Sequence, residues 1–302
     1  MTKGLLICVA ALLVLVIAAM VRQHAFYAEV RRSAAQDHQS AVYSAGSFHA
    51  VTFLKSSLAV PSADQTMAEL RAFKSATENL GDAKWIYAGK VVENGQGSEQ
   101  LGDIGWTATA LVQYPSKDAY LKAIATSAYQ DALAAFDTHY THGAHRPVLR
   151  NLLFPQMMLL TRVIKGFGSV DGYPFEPADT ARLPDQFHTI VAKLRAEREL
   201  GKDGMVVFNL QKQGTPEQQA ADAKYVAPMI ALMAQLGYGP MHFATADPLP
   251  GNRDFENVAI VFYPGTDFFA DMIGSNFYQN IFGDKQLGDN QSTITVPVLD
   301  LL

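Results

Sequence analysis

Polarity along the chain changes register several times, and each change marks an element. Residues 4–21, "GLLICVAALLVLVIAAMV", are uniformly apolar and uncharged between Lys3 and Arg22. The next run, 26–46, is polar with a helical rhythm and is expected to form a stalk helix. Short strand-like runs then open two stretches, "VTFLKSS" at 51 and "VVFNLQK" at 207, each leading into an amphipathic helix that closes on Leu-Gly (Leu80-Gly81, Leu236-Gly237). Thr215-Pro216 with Gln218 reads as a capping box with proline at the first helical position. Strands are expected at 84–92, 106–114, 240–246 and 257–263, and second helices from Ser116 and Gly265. The last strands are expected at 147–153 and 297–302, and "ENGQGSEQLGDIG" (93–105) reads as a hairpin loop.

The two stretches keep register with each other. The upstream parts are offset by 156 (207 − 51; 237 − 81) and the downstream parts by 149 (263 − 114; 278 − 129). Each therefore reads strand–helix–strand–strand–helix–strand, the order of the split βαβ, ferredoxin-like unit. With helices on one sheet face, residues such as Val51, Phe53, Trp85 and Tyr87 leave the other face too apolar for water, so a second sheet is expected to cover it. The expected fold class is α+β: two tandem βαββαβ repeats forming an intramolecular barrel behind one transmembrane helix. Expected boundaries are 1–45 for anchor and stalk, 46–153 for the first repeat, 154–204 for a connector, and 205–302 for the second repeat. The connector carries an amphipathic helix over 185–200 with Phe187, Ile190, Val191 and Leu194 on one stripe.

"VVFNLQK", "YPSKDAYLKAIATSAYQ" (114–130) and "YPGTDFFADMIGSNFYQ" (263–279) resemble the dimeric α/β-barrel superfamily, closest to one of its domain families of unknown function. The resemblance covers most of 48–151 and 205–302. It implies a barrel with a cavity between sheets, in a superfamily holding cofactor-independent monooxygenases, isomerases, haem-dependent enzymes and proteins without known activity. A His-Arg pair that follows the Tyr-Gln in that branch is replaced here by Ala134-Ala135 and Gly283-Asp284, which implies that any role of the pair is missing.

Composition narrows the function classes. Net charge is −5 with a pI near 5.9, so there is no basic footprint for nucleic acid. Cys8, inside the apolar run, is the sole cysteine, which leaves no disulfide or thiolate metal site in the rest of the chain. At about 1.5 Å per residue the 18-residue run is close to the hydrocarbon thickness, and it is read as an uncleaved, single-pass anchor in the inner (cytoplasmic) membrane with the remainder on the periplasmic or extracytoplasmic side. The partners expected are the membrane and a small apolar ligand or protein; the two copies should satisfy each other within one chain, giving a pseudo-dimeric monomer.

No G-x-S-x-G, H-E-x-x-H, C-x-x-C or P-loop occurs, and no cofactor is predicted. Whether the protein is an enzyme is left open. At the 156 offset Asn209 aligns with Phe53 and His242 with Ile86, polar residues where the other copy is apolar. A buried polar group must find a partner, so Asn209 and His242 are candidate ligand contacts in a pocket lined by Trp85, Tyr87 and Phe243. Tyr129 and Tyr278 recur at one helix position and read either as pocket phenols or as helix-to-sheet core aromatics. His139, His142 and His145 lie in a stretch expected to be a solvated loop; a metal or haem site is the alternative there. The leading expectation is a membrane-anchored binding or accessory protein, with a cofactor-independent oxidoreductase or isomerase and a haem or metal protein as alternatives.

Overall fold

A computed structural model describes residues 3–30, 47–166, 172–179, 181 and 183–302. Most of the expected stalk (31–46) and part of the proline-rich connector lie outside the described residues. The chain runs α1 (Lys3–Val30), β1 (Phe48–Lys55), α2 (Ala63–Thr77), β2 (Lys84–Gln96), β3 (Ala108–Tyr114), α3 (Lys117–Ile124), α4 (Ser127–Ala134) and β4 (Thr138–His145). It continues through α5 (Val148–Lys165), α6 (Asp185–Ala196), β5 (Met205–Gln211), α7 (Pro216–Leu236), β6 (Gly239–Ala246), β7 (Asn257–Tyr263), α8 (Thr266–Ile273), α9 (Asn276–Ile281) and β8 (Asn290–Pro297).

The eight strands form one closed, antiparallel barrel in the order β1-β3-β2-β8-β5-β7-β6-β4. The barrel expected from the sequence is thus present as one closed sheet. The four strands of each half join edge to edge, β2 on β8 and β4 on β6, so no strand keeps a bare edge. The apolar inner faces of the two halves cover each other across the interior.

Alternation along each strand sorts side chains into two layers. Phe53 of β1 meets Phe208 of β5 at 6.1 Å between ring centroids, although three strands separate them around the wall, so both rings point inward. Tyr87 and Trp106 join them, at 5.3 Å from Phe208 and 5.7 Å from Phe53. The opposite parity faces the helices: Phe48 stacks on Tyr120 of α3, and Trp85 meets Phe73 of α2 edge-on.

The helix termini follow local rules. Ser62 and Thr215 each form a complete capping box, with Gln65 and Gln218 respectively, and Gly237 closes α7 in the left-handed conformation at φ 79°. Helix α6 of the connector buries Phe187 and Leu194, and it and the turn that follows are tied by ion pairs to both halves: Lys90 to Glu197, Lys193 to Glu93, and Arg195 and Arg198 to Asp267.

Two expected strands are absent. Residues 148–165, within which "PVLRNLL" was expected to be extended, form helix α5, which crosses the expected boundary at 153. Pro147 stands at the helix N-cap, and Asn151 and Met158 repeat toward the barrel while apolar residues of the alternate face stay exposed, a 3.6-residue rhythm that an isolated heptapeptide does not reveal. Likewise 297–302 ends β8 and turns into a short 3-10 segment.

The β4–β6 seam is short. Only Ala144↔Ala246 and His145↔Thr245 pair. The side chain of Asn252 extends it: Oδ1 accepts from Gly143 N (3.1 Å) and Leu249 N (3.0 Å), and Nδ2 donates to Thr141 O (2.7 Å). Asp247 N donates to Gly143 O at 2.8 Å. Glycine is required at 143 because a Cβ there would stand 2.3 Å from the Asp247 carbonyl oxygen. Asn252→Ala should cost about 1–3 kcal/mol by leaving backbone donors unpaired, read as a lower denaturation midpoint with unchanged slope.

Candidate functional site

The strand walls divide the expected site residues between two layers. Trp85 and Tyr129 lie outside the wall, where Phe73 meets each of them edge-on, and Tyr129 also meets Tyr120 at 6.3 Å. Tyr278 occupies the other half's helix layer, against Phe187 and Tyr225. Phe243 also faces outward, with the Arg150 guanidinium 4.7 Å from its ring centroid. These residues do not line one pocket with Tyr87 and His242, which point inward.

Asn209 does not face the same way as Phe53. Phe208 is the inward residue of β5, and Asn209, one residue on, turns to the outer face and donates from Nδ2 to the Ala259 carbonyl at 3.2 Å. The 156 offset is the cause. Val51 pairs with Leu111, and Phe208 pairs with Ile260, 149 residues beyond Leu111 (260 − 111), so β1 and β5 correspond at 157 (208 − 51). Tyr87 pairs with Leu111 and His242 with Ile260, so β2 and β6 correspond at 155 (242 − 87), making Tyr87, not Ile86, the counterpart of His242. An offset wrong by one reverses the face. Irregular register at 85–87 in β2 and 240–242 in β6 hides the correct value from the sequence.

The three histidines of 138–146 lie on a strand, not in a loop. Strand parity sends His139 and His145 to the outer face and His142 inward, so they do not converge. The His142 Nδ1 lies 3.0 Å from the Tyr140 hydroxyl and its ring stands 5.8 Å from Phe255. Among the described residues no group of three potential ligands is placed to hold a metal.

A polar cluster does assemble at one end of the barrel. His49 of β1 and His242 of β6 meet inside the wall with ring centroids 4.4 Å apart, at 0% and 2% exposure. Gln113 of β3 sits opposite His49 in the strand register. Arg146, directly after β4, is also buried, and its Nε donates to Asn151 Oδ1 at 2.6 Å. Asn151 is held in turn by donating to the carbonyls of Pro147 (2.9 Å) and Phe243 (3.0 Å), so the first turn of α5 positions the guanidinium.

The electrostatics of this end follow from burial beside a cation. Neither ring nitrogen of His49 reaches full hydrogen-bond geometry, but the Gln113 side chain lies close enough to act as a weak hydrogen-bond partner that favours the charged ring against burial; the His242 Nε2 is unpaired. Burial, aided by Arg146, lowers the His49 pKa to about 3. Burial first, then His49 and Arg146, hold His242 well below the ordinary range, and burial lowers His142 to about 4. The site is thus two neutral imidazoles, each with one N–H and one lone pair, beside a permanent positive charge. The sequence reading identified His242 and missed His49, Gln113 and Arg146. Its one available signal was a histidine at an inward position of an otherwise apolar β1.

No family model and no curated protein matches the chain. Solved structures similar to it include an anthrone oxidase-like protein (TM-score 0.43, 9% identity, covering 84% of this chain and 92% of that one). A heme-binding protein from Thermus thermophilus (0.37, 12%, 83% and 91%) and a mutant chlorite dismutase from Candidatus Nitrospira defluvii (0.38, 8%, 85% and 94%) are similar to the same extent. At these scores the likenesses carry no argument about fold or function.

The three inward histidines set a pH dependence. Their folded-state pKa values lie below the value of about 6.5 in an unfolded chain. The unfolded state therefore binds more protons as pH falls from about 6.5 toward 4, and stability present above 6.5 is lost across that window, at up to about 1.4 kcal/mol per pH unit per histidine. Denaturation midpoints between pH 7 and 5 should fall steeply in the native protein and less steeply in His142→Phe.

Proposed function

We propose that this protein is a membrane-anchored binding barrel whose His49–His242–Arg146 end holds a small ligand by a carboxylate or similar oxyanion, with the ligand's apolar part toward the barrel interior. The observation that carries this reading is the pair of neutral, buried imidazoles with unpaired nitrogens beside a buried guanidinium. Leaving an imidazole nitrogen unpaired costs about 1–3 kcal/mol, and a small acid would offset that cost by accepting from the imidazole N–H groups. Tyr87, on the inward face beyond Phe208, belongs to the same interior. The outward residues Asn209, Trp85, Phe243, Tyr129 and Tyr278 support the wall and helix layer.

The reading includes the finer architecture. The strand order β4-β1-β3-β2 in the first half and β8-β5-β7-β6 in the second supports two fused ferredoxin-like units, 46–153 and 205–302. It includes the anchor as well. Helix α1 contains an apolar span, Gly4–Tyr27, whose most apolar 18-residue stretch has a mean hydropathy of 3.1 and is 0% buried.

Native mass spectrometry of the purified chain should find a small organic acid that is lost in His242→Leu. The same substitution should leave the melting temperature unchanged or raised, because it removes an unpaired nitrogen while keeping apolar volume. A ligand retained by His242→Leu would reject the site. A chain beginning at residue 46 should sediment as a single chain, since the two halves already close on each other; a mass of two chains that persists on dilution would reject that part.

A further inference from the structure

Helix α5 has two unlike faces. Asn151, Pro155 and Met158 are buried toward the barrel and α7. Leu149, Leu153, Met157, Leu160, Val163 and Ile164 form a stripe on the other side, each between 42% and 74% exposed. The helix contains no acidic residue and carries Arg150, Arg162 and Lys165. An uncovered apolar stripe on a basic helix is the composition of a helix lying in a lipid interface.

The packing of α1 says what covers this stripe. Residues 4–19 of α1 are exposed, whereas Met20 begins the part that packs on the domain, accepting through its carbonyl from Gln156 Nε2 of α5 at 3.1 Å. Tyr27, further along, is 1% exposed in the core. The projecting part is 16 residues (19 − 4 + 1), a helix of about 24 Å, against a hydrocarbon thickness of about 30 Å. Tilting the helix only increases the shortfall. A span anchored by α1 must therefore also take in Met20 and Val21, which brings Arg22 to the interface, and α5 is the element packed against that end of the span.

We propose that α5 is a second membrane contact, an interfacial helix seated at the headgroup–acyl boundary of an anionic lipid leaflet beside α1. This rests on the reading of α1 as a membrane span. In this arrangement the first turn of α5, which holds Arg146 through Asn151, lies near the membrane surface, and the polar end of the barrel lies on the lipid side.

The test uses the full chain in phosphatidylcholine–phosphatidylserine vesicles, with an environment-sensitive fluorophore on one cysteine at a time and lipids carrying a quencher at a shallow or deep acyl position. Three proteins are compared: native Cys8, Leu160→Cys in a Cys8→Ser background, and Val60→Cys in the same background. Val60 is 90% exposed and follows the end of β1 opposite the end that pairs with His145. The expected result is a label at 160 that shifts to the blue and is quenched at least twofold more by the shallow than by the deep quencher, while the label at 60 stays water-like. An unquenched, water-like label at 160 with a quenched label at Cys8 overturns the inference and leaves the anchor standing. A blue-shifted label at 160 without lipid quenching overturns it in favour of a second copy of the chain on this face. Unquenched labels at both Cys8 and 160 overturn the anchor reading and the inference together.

Discussion

Closure of the sheet is the constraint on which the rest of the structure depends. Each of eight strands must find two neighbours, and the last two pairings, β2–β8 and β4–β6, join residues far apart in the chain. Those pairings are the most expensive in chain entropy and are reinforced by side chains. At one, the Tyr87 hydroxyl meets the Thr295 hydroxyl at 2.6 Å, and Thr295 Oγ1 donates to the Val206 carbonyl at 2.9 Å. At the other, Asn252 supplies hydrogen bonds that two strand pairs alone do not, and Lys117 reaches across to Asp247 at 2.8 Å. Once closed, the wall separates an interior of aromatic and imidazole rings from an outer belt of helices.

The chemistry of the candidate site follows from the same closure. A histidine on an open sheet would titrate near its ordinary value; inside a closed wall it is desolvated and stays neutral. Arg146 cannot respond in that way because a guanidinium does not give up its proton, and it is kept at the rim by Asn151 rather than drawn into the interior. The result is a fixed charge beside two groups that can each donate or accept.

Much of this was legible in the sequence, for local reasons. The capping box at Thr215, the left-handed Gly237 and the amphipathic stripe of α6 are set by neighbours within a turn or two. Strand β4 was hidden because His139, His142, Gly143 and His145 carry little strand propensity; the pairing with β1 decides that segment. Helix α5 was hidden because its apolar residues were read over one heptapeptide rather than over the whole helix. The inward cluster was hidden by register: Asn209 and Phe208 differ by one position, and only hydrogen-bonded partners reveal which one turns inward. His49, Gln113 and Arg146 are separated in sequence and are brought together only by the order in which strands meet around the ring.

A ring assembled from two identical chains repeats every interior side chain, so any substitution is made twice and both ends change together. Here the ring is completed within one chain, and corresponding places already differ: Tyr87 stands on β2 where β6 has His242, and His49 on β1 where β5 has Val206. One end can then keep the apolar and hydroxyl contacts that hold the wall shut, while the other is free to drift toward polar groups. Selection can reshape a binding preference at residue 49 or 242 without touching the opposite end.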